Sequence, residues 1–464
     1  MAHADMTDSR RQTKVGRPTP GDALALQHVV EAIATGLDNQ DDVESFLHAV
    51  PRSLWTPALT AFLDCSTAMP STVSANWPHI ELLSAALPPS VLTLLAATLP
   101  LRPCIKLECF ADASPLASLV AVLGPALSCV HLCLSSGCTV RGGGQAISDL
   151  LLQRCPRLRH VAISVDSCSQ NEAVELNDLL AVVAHPHVEE LQIDLENTTA
   201  PPRLGHLLAS WLSTAPATKL RLAHAAGRDH DAVIAFSDAL QASTTLRELT
   251  MHNTPALGGF HGRTLPVSLK RFEWCISCPN CVVDETALTD LATAVGLTQL
   301  EHLECSFFGL LTTYAAAAPM LSQLQSLVVS GLNADHMPAL IADLSSVPAL
   351  TSLELRDCNL SSSTELMETL ATTCVHLETL RVDDRDSRWV GGQLVAAGRH
   401  LHYLDLATIG RDSDDLEKRA ICEALAQVHD VPFVLQTLPE GVDEFVVDAL
   451  SPRTDRRHEC ALHF

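Results

Sequence analysis

Residues Pro348 to Val382 read PALTSLELRDCNLSSSTELMETLATTCVHLETLRV, and this stretch decides the fold. It opens with Leu350-x-x-Leu353-x-Leu355-x-x-Cys358-x-Leu360. Leu353 and Leu355 are two residues apart, so on an extended chain both point to one face. Cys358 is small enough to let the chain turn. Ser362-x-x-Glu365 is a capping box, and Leu366, Leu370 and Cys374 follow at i, i+4 and i+8, the apolar stripe of a helix. At Leu377-x-x-Leu380-x-Val382 the strand spacing begins again, 27 residues after Leu350. One strand and one helix cannot bury their own apolar face, so this unit must stack on copies of itself.

Such copies run through most of the chain. Early, irregular ones are Trp77-x-x-Ile80-x-Leu82 and Cys104-x-x-Leu107-x-Cys109. Clearer ones follow at Leu127, Leu158, Val188, Ala217, Leu246, Leu269, Leu300, Leu324, Leu350, Leu377 and Leu401, with a degenerate one at Val442/Phe445/Val447. Pro125, Pro156, Pro186 and Pro348 each stand two residues before an anchor, where proline ends the preceding helix. From Leu127 to Leu401 the intervals are 31, 30, 29, 29, 23, 31, 24, 26, 27 and 24 residues, long enough for a helix in each repeat. The pattern resembles the ribonuclease-inhibitor-like class of leucine-rich repeats. That resemblance implies an α/β, right-handed leucine-rich-repeat solenoid of horseshoe form over residues 75–450, with protein partners held on its concave sheet. The 41 residues from Leu401 to Val442 include an acidic stretch, Asp412 to Val428, expected to be a helix of a C-terminal cap. Residues 451–464 are expected to be a tail.

Residues 1–20 are polar and expected to be disordered. Between residues 21 and 65 the spacing is helical: Leu26, Val29, Val30, Ile33 and Leu37, then Asp42-Val43, Phe46-Leu47 and Trp55. This order resembles an F-box, an all-α module, although Pro20-Gly-Asp-Ala-Leu24 stands where F-boxes carry Leu-Pro. The resemblance implies docking of a Skp1-type adaptor by Leu24, Leu26, Val29, Val30 and Ile33, and with it a substrate-recognition role in an SCF-type ubiquitin ligase. The alternative is a plain helical cap on a scaffold or inhibitor with no link to ubiquitin, since a solenoid needs a polar-faced end.

The chain carries 54 Asp and Glu against 30 Lys and Arg, a formal charge of −24. That balance argues against a nucleic-acid or anionic-membrane surface and for solubility or a basic partner. The first twenty residues lack the apolar core of a secretory signal, and no apolar run approaches a membrane span. The expectation is a cytoplasmic or nuclear protein whose sixteen cysteines are reduced thiols.

Few residues point to chemistry. Cys275-x-x-Cys278-x-x-Cys281 has metal-ligand spacing but no nearby fourth cysteine, and Cys305 is a strand anchor. His185-Pro-His187 lies where a helix meets a strand and is expected to be solvated. No nucleophile elbow, phosphate loop or dinucleotide fingerprint occurs. The expectation is a binding protein without catalytic residues, cofactor or metal.

The concave face remains. The residue between the second and third anchors points away from the core, and these residues run Glu81, Glu108, His131, Ala162, Gln192, Arg221, Thr250, Glu273, Glu304, Val328, Glu354, Arg381, Asp405 and Val446. Like charges on neighbouring strands repel. The row formed by Glu273, Glu304, Glu354, Arg381 and Asp405 is therefore expected to meet a basic protein substrate.

Overall fold

The computed structural model describes residues 27–37, 40–69, 79–134, 143–166, 176–196, 200–225, 227, 229–253, 259–275, 285–306, 308–330, 337–358, 366, 369–370, 372–384, 403–408 and 433–435. The chain forms two compact units, one of residues 1–109, 114–129 and 154–157, the other of 110–113, 130–153 and 158–464.

The first unit opens with helices Gln27–Thr35, Gln40–Ala49 and Pro57–Ala68. The third starts cleanly because the Thr56 side chain accepts the Leu59 N–H and Pro57 occupies a position where no amide hydrogen is needed. Val30, Ala34, Val43, Leu47, Leu59 and Phe62 are buried, while Trp55 is anchored by its indole N–H on the Val50 carbonyl at 3.2 Å. The Pro57–Ala68 helix packs against the helix Pro89–Thr98 that follows β1. Strand β1 (His79–Leu82) pairs in parallel with β2 (Cys104–Phe110), and Ile80 and Leu82 face Ile105 and Leu107. This corrects the sequence register by two residues. The anchors of β2 are Ile105 and Leu107, and the residue between them is Lys106 rather than Glu108. The first anchor position then falls on Arg102, a left-handed residue with φ of 57°, so the leucine that should mark the repeat is absent.

In the second unit the strands from β4 onward follow sequence order, each paired in parallel with the next. They are β4 (His160–Val165), β5 (Glu190–Asp194), β6 (Lys219–Ala223), β7 (Glu248–His252), β8 (Arg271–Cys275), β9 (His302–Cys305) and β10 (Ser326–Ser330). They continue with β11 (Ser352–Cys358), β12 (Thr379–Asp384), β13 (Tyr403–Thr408) and β14 (Phe433–Leu435). Strand β3 (Leu127–Leu134) is divided between the two units. One row of anchors runs in register from Leu191 through Leu220, Leu249, Phe272, Leu303, Leu327, Leu353, Leu380 and Leu404 to Phe433. The row is a direct outcome of the Leu-x-x-Leu-x-Leu spacing. These anchors are buried from β5 to β12, and most of the residues alternating with them keep partial exposure on an open face.

The connections are less uniform than the intervals imply. Full helices occupy Gly144–Arg154, Leu204–Thr214, His230–Ala242 and Glu285–Gly296. The second and third of these pack backbone to backbone: a Cβ on Gly205 would lie 2.3 Å from the Ala232 carbonyl oxygen. Among the described residues between β9 and β10, helix is confined to the short turns Phe308–Leu311, Ala315–Ala317 and Ala318–Leu321. The 23-residue repeat from Leu246 has no helix among its described residues, because Gly259, Gly262 and Pro266 break it. Its amides are satisfied instead by Asp290 of the next repeat, whose carboxylate accepts the N–H groups of Phe260, His261 and Gly262 at 2.5, 3.1 and 2.7 Å.

Two further expectations change. His185 is buried at 2% exposure, its Nδ1 accepting the His187 N–H, so only His187 is solvated. Strand β14 lies inside the stretch between Leu401 and Val442, where no strand is expected. Its first anchor position would be Asp430, a charged residue in place of a leucine. The segments at 412–428 and 442–447 lie outside the described residues, as do both tails. No helix among the described residues is long and apolar enough to cross a membrane.

Candidate functional site

The open face of β7 to β12 carries a connected polar network. Alternation puts residues i−2, i and i+2 of a strand on the same face, so each strand contributes up to three side chains. Glu273 of β8 stands directly opposite Glu304 of β9. Val328 of β10 lies between Glu304 and Glu354, and Glu354 is followed by Arg381 and Asp405 in register. The backbone therefore places all five of the expected residues in one row. The side chain of Asp405 lies outside the described residues.

The repulsion expected of that row is neutralised within the chain. Arg271 Nε donates to Glu273 Oε1 at 2.6 Å, and Thr250 Oγ1 donates to Glu273 Oε2 at 3.0 Å. Arg356 Nε donates to Glu354 Oε1 at 2.7 Å. Its Nη1 reaches across β10, over Val328, to Glu304 Oε1 at 2.9 Å. Val328 is 3% exposed even though it stands on the open face. Arg381 Nε lies 3.4 Å from Glu354 Oε1. Hydrogen-bonded, half-buried pairs of this kind are worth more than exposed ones. Burial favours the neutral form of Glu273, but the hydrogen bonds and charge of Arg271 and the Thr250 hydroxyl outweigh it and hold the carboxyl below its ordinary range.

Arg271, Arg356 and His302 are absent from the row read in the sequence, which takes only the middle residue of each strand. They sit two residues to either side of it, and that spacing was the signal available to find them. Cys275 is the fourth addition. As the equivalent positions imply, it faces His252 of the neighbouring strand. Its S–H donates to Glu304 Oε1 at 3.2 Å, and burial together with the Glu304 charge pushes the thiol pKa far up. A thiol held protonated in this way is a poor nucleophile. Cys278 and Cys281 lie outside the described residues.

His302 lies beside Arg271 and Ser326 on the adjacent strands. Its Nδ1 is 2.8 Å from Ser326 Oγ, and its Nε2 is buried with no partner among the described residues. Burial first, then the charge of Arg271, lowers its pKa to about 4, so the ring is neutral at pH 7. Burial and then Arg221 likewise depress His252.

Further along the sheet a second chain of polar contacts joins three successive strand ends. His224 Nδ1 meets Asp194 Oδ1 at 2.9 Å, and Asn253 Nδ2 meets His224 Nε2 at 2.8 Å. His224 and Asn253 are both left-handed, with φ of 55° and 52°, which turns the chain out of its strand at equivalent points. At the opposite edge Lys219 pairs with Glu248 at 2.8 Å and His160 with Glu190 at 3.3 Å.

In the first unit, Val30 of the Gln27–Thr35 helix is fully buried, Val29 is half-buried and Ile33 is 36% exposed. The apolar row is therefore split between the interior of the unit and its surface. Leu24 and Leu26 lie outside the described residues.

No protein-family profile matches this chain, and no curated protein does. Among solved structures it is similar to an internalin (inlF) of Listeria monocytogenes, at 12% identity over 82% of this chain and 91% of that chain, with a TM-score of 0.28. It is also similar to a chain of the TLR13–ssRNA13 complex, at 14% identity over 77% of this chain and 54% of that one, TM-score 0.33. A third is a chain of the Toll–Spatzle complex of Drosophila, at 11% identity over 71% and 57%, TM-score 0.22. The chain thus spans little more than half the length of the last two. The repeat fold rests on the strand order and register, not on these likenesses.

Proposed function

We propose that this chain is a binding protein without catalytic activity, holding a protein partner on the open face of its repeat sheet. The observation that carries this is the pre-organised network of β7 to β12. Glu273, Glu304, Glu354, Arg271 and Arg356 are fixed by one another before any partner arrives, so binding costs little side-chain ordering. Because the carboxylates are already paired, the contact is governed by shape and hydrogen bonding at the face. A basic protein substrate gains from the overall charge of −24 chiefly in its rate of association. The triple variant Glu273→Gln, Glu304→Gln, Glu354→Gln, assayed against a co-purifying protein, should lose affinity at high and low salt alike. Unchanged affinity would place the contact elsewhere.

The finer reading is a substrate-recognition subunit of an SCF-type ligase, with the N-terminal helices docking a Skp1-type adaptor. What supports it is the split of the apolar row: Val30 holds the helix in place while Val29 and Ile33 stay accessible. Ile33→Glu in the full chain should abolish capture of purified Skp1-type adaptor without lowering the melting temperature. If the unmodified chain fails to capture the adaptor, the helices are a cap and the ubiquitin reading falls, while the open-face reading stands.

A further inference from the structure

The two strands β8 and β9 bring three ligand-type atoms together on the open face. The carboxylates of Glu273 and Glu304 and a ring nitrogen of His302 lie within 4.8 Å of one another. The three differ in kind from an ordinary surface cluster. Glu304 is 7% exposed, and the Nε2 atom of His302 is inaccessible to solvent with no hydrogen-bond partner among the described residues. A buried polar atom with no partner is costly. With the ring proton on Nδ1, donated to Ser326 Oγ at 2.8 Å, Nε2 presents a lone pair. The carboxylates of the same cluster are acceptors and offer it no proton. A group that accepts from all three and repels none is a cation.

We propose that Glu273, His302 and Glu304 form a binding site for one divalent transition-metal ion of the zinc type, left with an open coordination position on the face of the sheet. The nitrogen donor selects against magnesium and calcium, which prefer oxygen alone. Each ligand already carries the outer partner that metal sites require. Ser326 orients the His302 ring, Arg271 and Thr250 hold Glu273, and Arg356 and Cys275 hold Glu304. A carboxylate has about four lone-pair sites, so these hydrogen bonds leave room for the ion. Around zinc, metal–ligand distances of about 2.0–2.2 Å put the ligand atoms roughly 3.3 Å apart. Closing the remaining gap takes an adjustment of the side chains on binding. Cys275 is an outer partner and not a ligand. It stands four residues along β8 from Arg271, the residue that faces His302, so the thiol and the imidazole flank the carboxylate pair from opposite ends.

The test is titration of the full chain, freed of metal with a chelator, by cobalt(II), read by visible absorption and calorimetry. The expected result is one equivalent bound with weak d–d bands and no thiolate-to-cobalt band in the near ultraviolet. His302→Gln should weaken binding at least tenfold, and Ser326→Ala, which removes the contact that orients the ring, about 10–100-fold. Zinc should raise the melting temperature of the unmodified chain but not that of His302→Gln, and circular dichroism of the free variants establishes that they fold. Any of three results overturns the proposal: no saturable binding up to millimolar cobalt, affinity unchanged in folded His302→Gln, or a thiolate band showing that cysteines hold the ion.

Discussion

His302 sits where a charge is expensive, and that gives it a pH signature. Its folded pKa is lowered to about 4 from an ordinary 6.5. Between those values the unfolded chain binds a proton that the folded chain refuses, so acidification draws the equilibrium toward unfolding. The stability contributed by the neutral ring is complete above pH 6.5 and is lost as the pH falls toward 4. His252 acts in the same direction, and the depressed carboxyl of Glu273 adds a further loss at lower pH. Denaturant midpoints measured in chelator at pH 7 and pH 5 should differ less for His302→Gln than for the unmodified chain, and equal differences would show that the ring titrates normally. Two strands further, Leu353 is fully buried while its neighbour Glu354 makes two ion pairs on the open face. Leu353→Ala should cost about 2–5 kcal/mol. Glu354→Ala should cost about 1 kcal/mol and less in high salt, so equal losses would refute the alternation. The leucine was legible in the sequence because its periodicity repeats ten times. The compensation of Glu354 was not, because Arg356 and Arg381 matter through distances that only the register of neighbouring strands supplies.

At the scale of elements, a repeat is recognised by its first anchor, and the misread elements are those that lack one. Strand β2 has Arg102 there and β14 has Asp430, so the apolar pair that follows was read two residues late in one case and passed over in the other. The turn in the repeat from Leu246 fails differently. Its interval is short and its glycines exclude a helix, but which residue then satisfies the exposed amides is a tertiary matter. Asp290, thirty positions away from Phe260, takes that role. Asp290→Ala should cost about 1–3 kcal/mol and speed amide exchange at Phe260, His261 and Gly262. Asp290→Asn keeps one acceptor oxygen and should recover part of both effects. Exchange at these amides as slow in Asp290→Ala as in the unmodified chain would mean the loop is held by something else. The Gly205–Ala232 approach belongs to the same class: the glycine is visible in the sequence, but its neighbour is not.

Among the described residues of the second unit, backbone hydrogen bonds of the sheet join only strands that are sequence neighbours, as in other stacked repeats, whose stability is a sum of units and adjacent interfaces. The repeat identity and strand order follow from spacing alone, which is why this level was the most legible. Arg356 departs from the rule. By holding Glu304 from two strands away, it links residues 52 positions apart and skips the repeat between them. The consequence is mechanical. A stack bound only to its neighbours, when stretched, peels one repeat at a time, each releasing about 23–31 residues or roughly 75–110 Å of contour length. The arginine acts as a rivet through three layers, so β9 to β11 should give way together in a single larger rip. Optical-tweezer traces of Arg356→Met should show that rip divided into single-repeat steps at lower force, with the rest of the sawtooth unaltered.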